Sequence, residues 1–254
     1  MFKQEYGLVC TAAQNKVNFF KVDKAGYFVS SMLAGVFVGL GVIVTYVIAA
    51  AMGASVSLKI IQGASFAAVL SLIVFAGAEL FTGNVFVLKA GIMRKRLAFS
   101  DALPLWLFCY LGNFAGSVLV ASLFIGTSLF TADMNALTDM AIMSKTSPAF
   151  VNLFIRGILC NILVCSATWC TYKIKSETGK LIMIFWCIYI FVISGFEHSI
   201  ANMTLFSLRA IVWTDGGASV SAMLHNLLAT SLGNFVGGAT LAMTYWAMGR
   251  KDQG

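Results

Sequence analysis

Charge is scarce in this chain of 254 residues: Asp, Glu, Lys and Arg together make up 11% of it. Soluble domains carry about a quarter of such residues, so this chain could not cover a globule with polar surface. Proline is also rare. Only Pro104 and Pro148 occur, both expected near helix starts, where a missing N–H does little harm. What remains is 59% hydrophobic, with a mean hydropathy of +0.88, which indicates a membrane protein.

Several functional signatures are absent as well. The six cysteines form no C-x-x-C pair, and we interpret them as reduced packing residues. The nucleotide motif G-x-x-x-x-G-K-[ST] and the metalloprotease motif H-E-x-x-H do not occur, and no cleavable signal peptide is evident. The basic residues are scattered over short loops, which argues against nucleic-acid binding. We therefore predict no enzymatic activity, no cofactor and no metal.

The apolar residues fall into six runs, each long enough for the roughly 20 residues that a bilayer-spanning helix needs. The predicted spans are Tyr27–Met52, Ile60–Leu88, Leu103–Phe130, Phe150–Tyr172, Leu181–Leu208 and Val220–Met248. Residues 1–26 are predicted to form an amphipathic cytoplasmic segment. The whole chain, 1–254, is predicted to be one all-α membrane domain.

The positions of the basic residues predict the orientation. If the N-terminus is cytoplasmic, 13 of the 17 Lys and Arg residues lie on the inner side. Lys59, Lys145, Arg156 and Arg209 remain on the outer side. Because cytoplasmic loops are enriched in Lys and Arg, both termini are predicted to be inside.

The chain contains one motif twice. The pattern G-x-E-x-x-x-x-N occurs at residues 77–84 and again at 195–202, and Leu-Gly-Asn-Phe-x-Gly occurs at 111–116 and 232–237. The two repeats are predicted at about 27–130 and 150–248, with three spans each. Because three is an odd number, the second repeat must enter the membrane from the opposite side. Inverted repeats with broken helices at matching places are typical of transporters.

The repeated motif predicts a break in the second and fifth spans. Gly77, Gly83 and Gly195 permit backbone turns that other residues resist. Glu79 and Glu197 can accept hydrogen bonds from N–H groups freed at the breaks, which would make them structural clamps. Asn84 and Asn202 complete the two copies of the motif.

One polar residue breaks the symmetry. His198 occupies the position that Leu80 has in the first repeat, and ionisable groups inside a membrane are functional candidates by default. A purely structural histidine is the alternative. Asn113 and Asn234, within the second motif, are expected to pack between helices or to bond the broken segments. Asn234 could also face a pathway.

The chain resembles the formate–nitrite transporter family at residues 77–84, 159–165 and 194–203. The resemblance implies an aquaporin-like protomer in a homopentamer of the bacterial inner membrane, with one pore in each protomer. Met203-Thr204-Leu205-Phe206 and His225-Asn226-Leu227-Leu228 are similar to the nitrite branch. Ala229 departs from the proline that many members, especially formate channels, have at that position.

The same resemblance implies roles along a pore. Phe66, Leu70 and Phe191 match an outer hydrophobic constriction, and Leu80, Phe81 and Val164 match an inner one. His198 is expected between them, hydrogen-bonded to Thr82. Lys145 outside and Lys16 inside match residues that attract anions, with interfacial anchoring as the alternative. The polar residues Asn161 and Asn234 are also expected along the pathway.

These expectations lead to one functional hypothesis. The protein passes small anions of weak acids, nitrite first and formate or hydrosulfide as alternatives, and protonation near His198 lets the neutral acid cross the apolar rings. Protons and the lipid bilayer are its other expected partners. A haem-binding membrane anchor that uses His198 and His225, or a scaffold without transport, would be the competing interpretation.

Overall fold

The computed structural model describes residues 2–212 and 218–250, and all regular secondary structure in these ranges is helical. The helices, in chain order, are α1 Lys3–Val22, α2 Lys24–Met52, α3 Leu58–Phe66, α4 Ala68–Phe75, α5 Phe81–Met93, α6 Phe99–Gly126, α7 Ala132–Thr146, α8 Phe150–Lys173, α9 Glu177–Ile193, α10 Ser199–Ile211 and α11 Val220–Arg250.

The apolar helices follow the predicted spans. Within the described ranges, five segments are long and apolar enough to cross a membrane: α2, α3 with α4, α6, α8 and residues 220–249 of α11. The second predicted span is interrupted between α4 and α5, and the fifth between α9 and α10. The all-helical membrane fold is thus confirmed. Pro104 lies within α6, past its first turn, rather than at its start.

Two helices outside the spans occupy matching places. α1 precedes α2 and buries Tyr6, Val9, Cys10, Ala13 and Val17, whose spacing places them on one helical face. α7 precedes α8 and packs against α2, α10 and α11. The sequence did not predict α7 as a helix, because its residues lack a clear apolar period. Since three spans separate them, we call the two sides of the protein the α1 side and the α7 side.

Glycines bring two helix pairs into close contact. A Cβ at Gly112 would approach the Phe28 carbonyl of α2, and a Cβ at Gly233 would collide with the Phe154 carbonyl of α8. The next glycines along repeat the pattern, in the pairs Gly116 with Met32 and Gly237 with Ile158. This is the small-residue packing that the sequence predicts. It also puts α2 in register with α8 at a constant offset of 126 residues (154 − 28 and 158 − 32).

Candidate functional site

Two glycines form the turns at the helix breaks. Gly77 has a φ of +77° and Gly195 a φ of +70°, a region that L-residues rarely occupy. The prediction of a turn at Gly83 is wrong. Gly83 lies in the first turn of α5, because that helix already begins at Phe81.

The carboxylate of Glu79 binds three side chains from three elements. The Lys16 ammonium of α1 lies 2.6 Å from Oε1, and Asn84 of α5 donates to Oε2 at 2.7 Å. The Tyr27 hydroxyl of α2 donates to Oε2 at 3.2 Å and accepts a bond from the Asn84 amide at 3.0 Å. The cluster therefore fastens α1, α2 and α5 to the first break.

Glu197 has an equivalent cluster on the α7 side. The Lys145 ammonium of α7 lies 3.1 and 3.0 Å from the two carboxylate oxygens, and Asn202 donates at 2.7 Å. Asn202 also donates to Asn226 Oδ1 at 2.8 Å, and Asn226 donates to the Lys145 carbonyl at 2.7 Å. Glu197 is 3% exposed, so its charge needs this lysine.

The two lysines that were expected to attract anions also form ion pairs with the glutamates of the breaks. Lys16 neutralises the carboxylate of Glu79, and Lys145 neutralises that of Glu197. We call Glu79 and Glu197 the break glutamates. A compensated charge attracts a distant anion less than a free charge does, because the opposite fields nearly cancel. The role of the two lysines in anion capture stays a prediction.

Asparagine side chains bind the backbone freed at each break. Asn113 Oδ1 accepts from the Phe81 N–H and Asn234 Oδ1 from the Ser199 N–H, both at 2.9 Å. Their amides donate to the carbonyls of Glu79 and Glu197, again both at 2.9 Å. The freed N–H groups of Phe81 and Ser199 thus donate to the clamp asparagines (Asn113 and Asn234) and not to the glutamates that the repeated motif predicts as acceptors.

Asn234 is saturated by these contacts. Besides the bond to Glu197, its amide donates to the Gly157 carbonyl at 2.9 Å, and the residue is completely buried. Asn113 matches it with a bond to the Ser31 carbonyl at 2.7 Å. Both thus bond the broken segments, and Asn234 has no free donor for a pathway.

A narrow apolar chamber lies between the two breaks. Its volume is about 10 Å³, at the limit for a single water molecule. Five residues of the predicted constrictions and the central histidine line it, namely Phe66, Leu70, Leu80, Val164, Phe191 and His198. The sequence did not single out the remaining lining residues, Val38, Val69, Ile73 and Ile188. Aliphatic side chains in apolar helices give no signal that distinguishes them from lipid-facing neighbours.

Phe81 is the exception among the predicted constriction residues. It is absent from the chamber lining, and its ring packs edge-to-face on Tyr110 with centroids 5.0 Å apart. Phe81 starts α5, and its neighbour Leu80 has the extended backbone that turns into the chamber. One residue of offset at the break decides which side chain reaches the pathway.

Both ring nitrogens of His198 have partners. Nε2 lies 3.2 Å from Thr82 Oγ1, and Nδ1 accepts the Ala201 N–H at 3.2 Å, so His198 caps the N-terminus of α10. The ring stacks on Phe191 at a centroid distance of 5.9 Å. No ring nitrogen is left for an iron, and His225 is exposed against Phe150. The haem-anchor interpretation therefore does not fit these residues.

Asn161 completes the polar centre. Its amide donates to the Thr82 carbonyl at 3.1 Å and to the Asn234 carbonyl at 2.6 Å. Its Oδ1 is buried without a hydrogen-bond partner among the described residues. A buried acceptor left unpaired is costly, so a ligand or water would stabilise this oxygen.

A wider cavity opens on the α1 side of the chamber. It has a volume of about 280 Å³, and Leu80 lines both spaces. Lys16, Glu79, Gly83 and Asn84 contribute to its wall together with Ser30. We call it the α1-side vestibule. A ligand reaching it meets polar groups before it meets the apolar chamber.

Known proteins are similar to this chain in sequence. A family model described as "Formate/nitrite transporter" matches residues 3–247. The chain belongs to the formate/nitrite transporter family. "Nitrite transporter NirC" of Escherichia coli is 38% identical over 224 residues, covering 87% of this chain and 82% of the relative. "Formate channel FocA" of Haemophilus influenzae is 32% identical over 251 residues, covering 89% and 88%.

Two solved structures of related proteins have the same fold. An "FNT family ion channel" is similar with a TM-score of 0.91 at 32% identity, covering 97% of this chain and 99% of that one. A "Pentameric formate channel with formate bound" is similar with a TM-score of 0.74 at 26% identity, covering 88% and 96%.

Proposed function

We propose that the protein conducts nitrite across the bacterial inner membrane, with formate or hydrosulfide as the alternative substrates. The observation that supports this most is the narrow apolar chamber between two polar clusters, with His198 in its wall. The relatives named for nitrite and formate transport support the substrate class. Nitrite comes first because the relatives at 38% identity are named nitrite transporters.

The chamber favours the neutral acid over the anion. A bare anion moving through a chamber lined by Phe66, Leu80 and Phe191 would lose its hydration without an opposite charge nearby, which costs several kcal/mol or more. Nitrous acid carries no net charge and avoids most of this cost. The substrate therefore crosses protonated, and the proton has to be supplied near the chamber.

The hydrogen bonds of His198 define how it handles that proton. Because Nδ1 accepts the Ala201 N–H, the neutral ring carries its proton on Nε2 and donates to Thr82 Oγ1. To give up the Nε2 proton, the ring must gain one at Nδ1, which breaks the cap and places a cation at the positive end of α10. The imidazolium is therefore transient, as suits a proton relay; a permanent cation would retain the anion.

The outer faces of the spans and the orientation of the protein follow from its apolar and basic residues. Large apolar side chains are exposed on the outer faces of the spans, for example Val29, Leu107 and Ile155. They face lipid and neighbouring copies in a homopentamer, which the pentameric formate channel at TM-score 0.74 supports. The excess of Lys and Arg on the α1 side makes that side cytoplasmic, with both termini inside.

A variant that keeps the helix cap isolates the relay. Asn is a good N-cap residue, so His198→Asn preserves the acceptor for Ala201 but removes the titratable ring. We expect a folded protein whose nitrite flux, measured in proteoliposomes across a pH series, loses its proton coupling. His225→Asn, at an exposed position, is the matched control and should behave like the parent protein.

Two results would count against the proposal. A His198→Asn protein with the pH profile of the parent would reduce His198 to a helix cap. Parent proteoliposomes that pass none of nitrite, formate and hydrosulfide would refute the assigned substrate class.

A further inference from the structure

Arg156 is a partly buried charged side chain within a span, and it has no compensating partner in the part of the chain that the structure describes. Arg156 lies near the end of the second turn of α8, a membrane-spanning helix, and is partly buried. Among residues 2–212 and 218–250, its guanidinium makes no hydrogen bond, ion pair or aromatic contact. The other two partly or fully buried cations of this side are paired, Lys145 with Glu197 and Arg209 with Asp139. Unpaired intramembrane charge marks a functional position by default.

The repeat shows where Arg156 lies. The carbonyl of Arg156 accepts the Glu197 N–H at 3.4 Å, and in the first repeat the carbonyl of Ser30 accepts the Glu79 N–H at 3.2 Å. The offset between Arg156 and Ser30 is 126 residues (156 − 30), the same as in the glycine contacts of α2 and α8. Arg156 is therefore the counterpart of Ser30, and both carbonyls bind the backbone of a break.

Ser30 lines the α1-side vestibule beside Gly77. Its hydroxyl oxygen lies 3.5 Å from the Gly77 carbonyl, at the turn of the first break. By the same symmetry, Arg156 is placed on the α7 side, next to the second break, and we expect it at the mouth of the pathway there. The first repeat thus has a neutral hydroxyl at this place, and the second repeat has a guanidinium.

We propose that Arg156 is the anion-capture site at the α7-side mouth, with specificity for small oxyanions that have two oxygens on one atom, such as nitrite or formate. This rests on the proposed transport function. A guanidinium presents two parallel N–H donors that match such a pair of oxygens. Lys145, next along this mouth, is less suited, since its ammonium is already within 3.1 Å of both oxygens of Glu197.

Concentration-dependent flux tests the site. In proteoliposomes of the full chain, Arg156→Leu should raise the half-saturating nitrite concentration about tenfold, the equivalent of one charge-assisted hydrogen bond, and leave the saturated rate nearly unchanged. Arg156→Lys should fall in between, since a point charge replaces the fork. Lys59→Leu removes another cation of this side, an exposed one, and serves as the matched control without effect.

A charge-rescue variant keeps the test decisive if Arg156→Leu assembles poorly. Arg156→Cys should react with water-soluble methanethiosulfonates added on the α7 side, and attaching a quaternary ammonium should lower the half-saturating concentration again, whereas a sulfonate should not. The parent protein controls for labelling elsewhere, because five of its six cysteines are buried and Cys170 is partly buried.

Both the labelling and the flux results can contradict the proposal for Arg156. If the cysteine is labelled only by membrane-soluble reagents, Arg156 faces lipid headgroups and the proposal is wrong. An unchanged half-saturating concentration in both the Leu and the Cys variant would overturn it as well. If the parent protein passes no nitrite, the transport proposal fails, but the labelling still reports whether Arg156 lies at an aqueous mouth.

Discussion

The two break glutamates are held by the same two kinds of partner, a lysine from the helix before the repeat and the asparagine five residues along the motif. The two clusters differ in their remaining side chain. In the first repeat Tyr27 donates to Glu79, and its counterpart in the second repeat is Leu153. In the second repeat Asn226 bonds Asn202, and its counterpart in the first is Leu105. Each repeat thus completes its cluster from a different helix.

The centre of the protein differs more than its frame does. Gly35 of α2 lies directly against the Asn113 carbonyl, and its counterpart Asn161 instead donates to the Asn234 carbonyl. The longer side chain also reaches Thr82. The second repeat contributes Asn161 and His198 to the centre, at places where the first has glycine and leucine. The helices around the centre are therefore related by two-fold symmetry, whereas the polar side chains Asn161 and His198 at the centre come from the second repeat.

The largest expected effect is on the shared frame. Glu79→Ala and Glu197→Ala should each abolish most detergent-stable oligomer, because removing one partner of a buried ion pair costs about 3–5 kcal/mol. Size-exclusion chromatography of the solubilised protein measures this. Glu177→Ala, which removes an exposed carboxylate at the start of α9, is the control and should give the yield of the parent.

A double substitution at Glu197 and Lys145 separates the effect of the buried charge from the effect of the changed side-chain shape. Glu197→Gln leaves Lys145 unpaired, and adding Lys145→Met should restore part of the oligomer yield, since the buried charge is then gone. If the double variant is worse than Glu197→Gln alone, the lysine does not act through the glutamate. The same cycle with Glu79 and Lys16 compares the α1 side.

Sequence alone predicted the frame but not its side-chain partners. The apolar runs, the repeated glycines and the odd number of spans per repeat were sufficient for the broken helices. The pairing of Lys145 with Glu197 joins residues 52 apart, and nothing in either local pattern gives the direction of a side chain. Phe81 was misplaced for the same reason. Arg156 entered only the charge count, because its counterpart Ser30 becomes visible only from the backbone contacts of the breaks.

An intermediate loss of stability is expected for substitutions of residues that differ between the two repeats. Tyr27→Phe should weaken the Glu79 cluster, and Asn226→Leu the Glu197 cluster, each by about 1–3 kcal/mol from lost buried hydrogen bonds. Because the two residues belong to separate clusters, the shifts in thermal melting should add in the double variant. Melting of the solubilised protein provides the measurement. A double variant no less stable than the worse single one would mean that the two clusters are not independent.

The smallest effect is expected at the edges of the repeats, where α1 and α7 are fastened. Glu5 of α1 pairs with the Lys173 ammonium of α8 at 2.7 Å in an exposed position, whereas Asp139 of α7 pairs with the buried Arg209 at 3.1 Å. The hydrogen bond from Lys173 holds the pKa of Glu5 below its ordinary value. A lowered pKa means that the pair stabilises the fold above the unfolded carboxyl pKa, about 4.3, and that this contribution is lost as pH falls through the lower folded pKa.

Glu5→Gln should therefore lower the melting temperature only slightly at pH 7, because exposed ion pairs contribute little, and the difference from the parent should vanish in acid. Asp139→Asn should cost more at pH 7, since it removes a carboxylate 3.1 Å from a buried guanidinium. Melting of both variants and the parent at pH 7 and at about pH 3 makes the comparison. A Glu5→Gln effect as large as that of Asp139→Asn, or one that persists in acid, would show that α1 is fastened through Glu5 by something other than its charge.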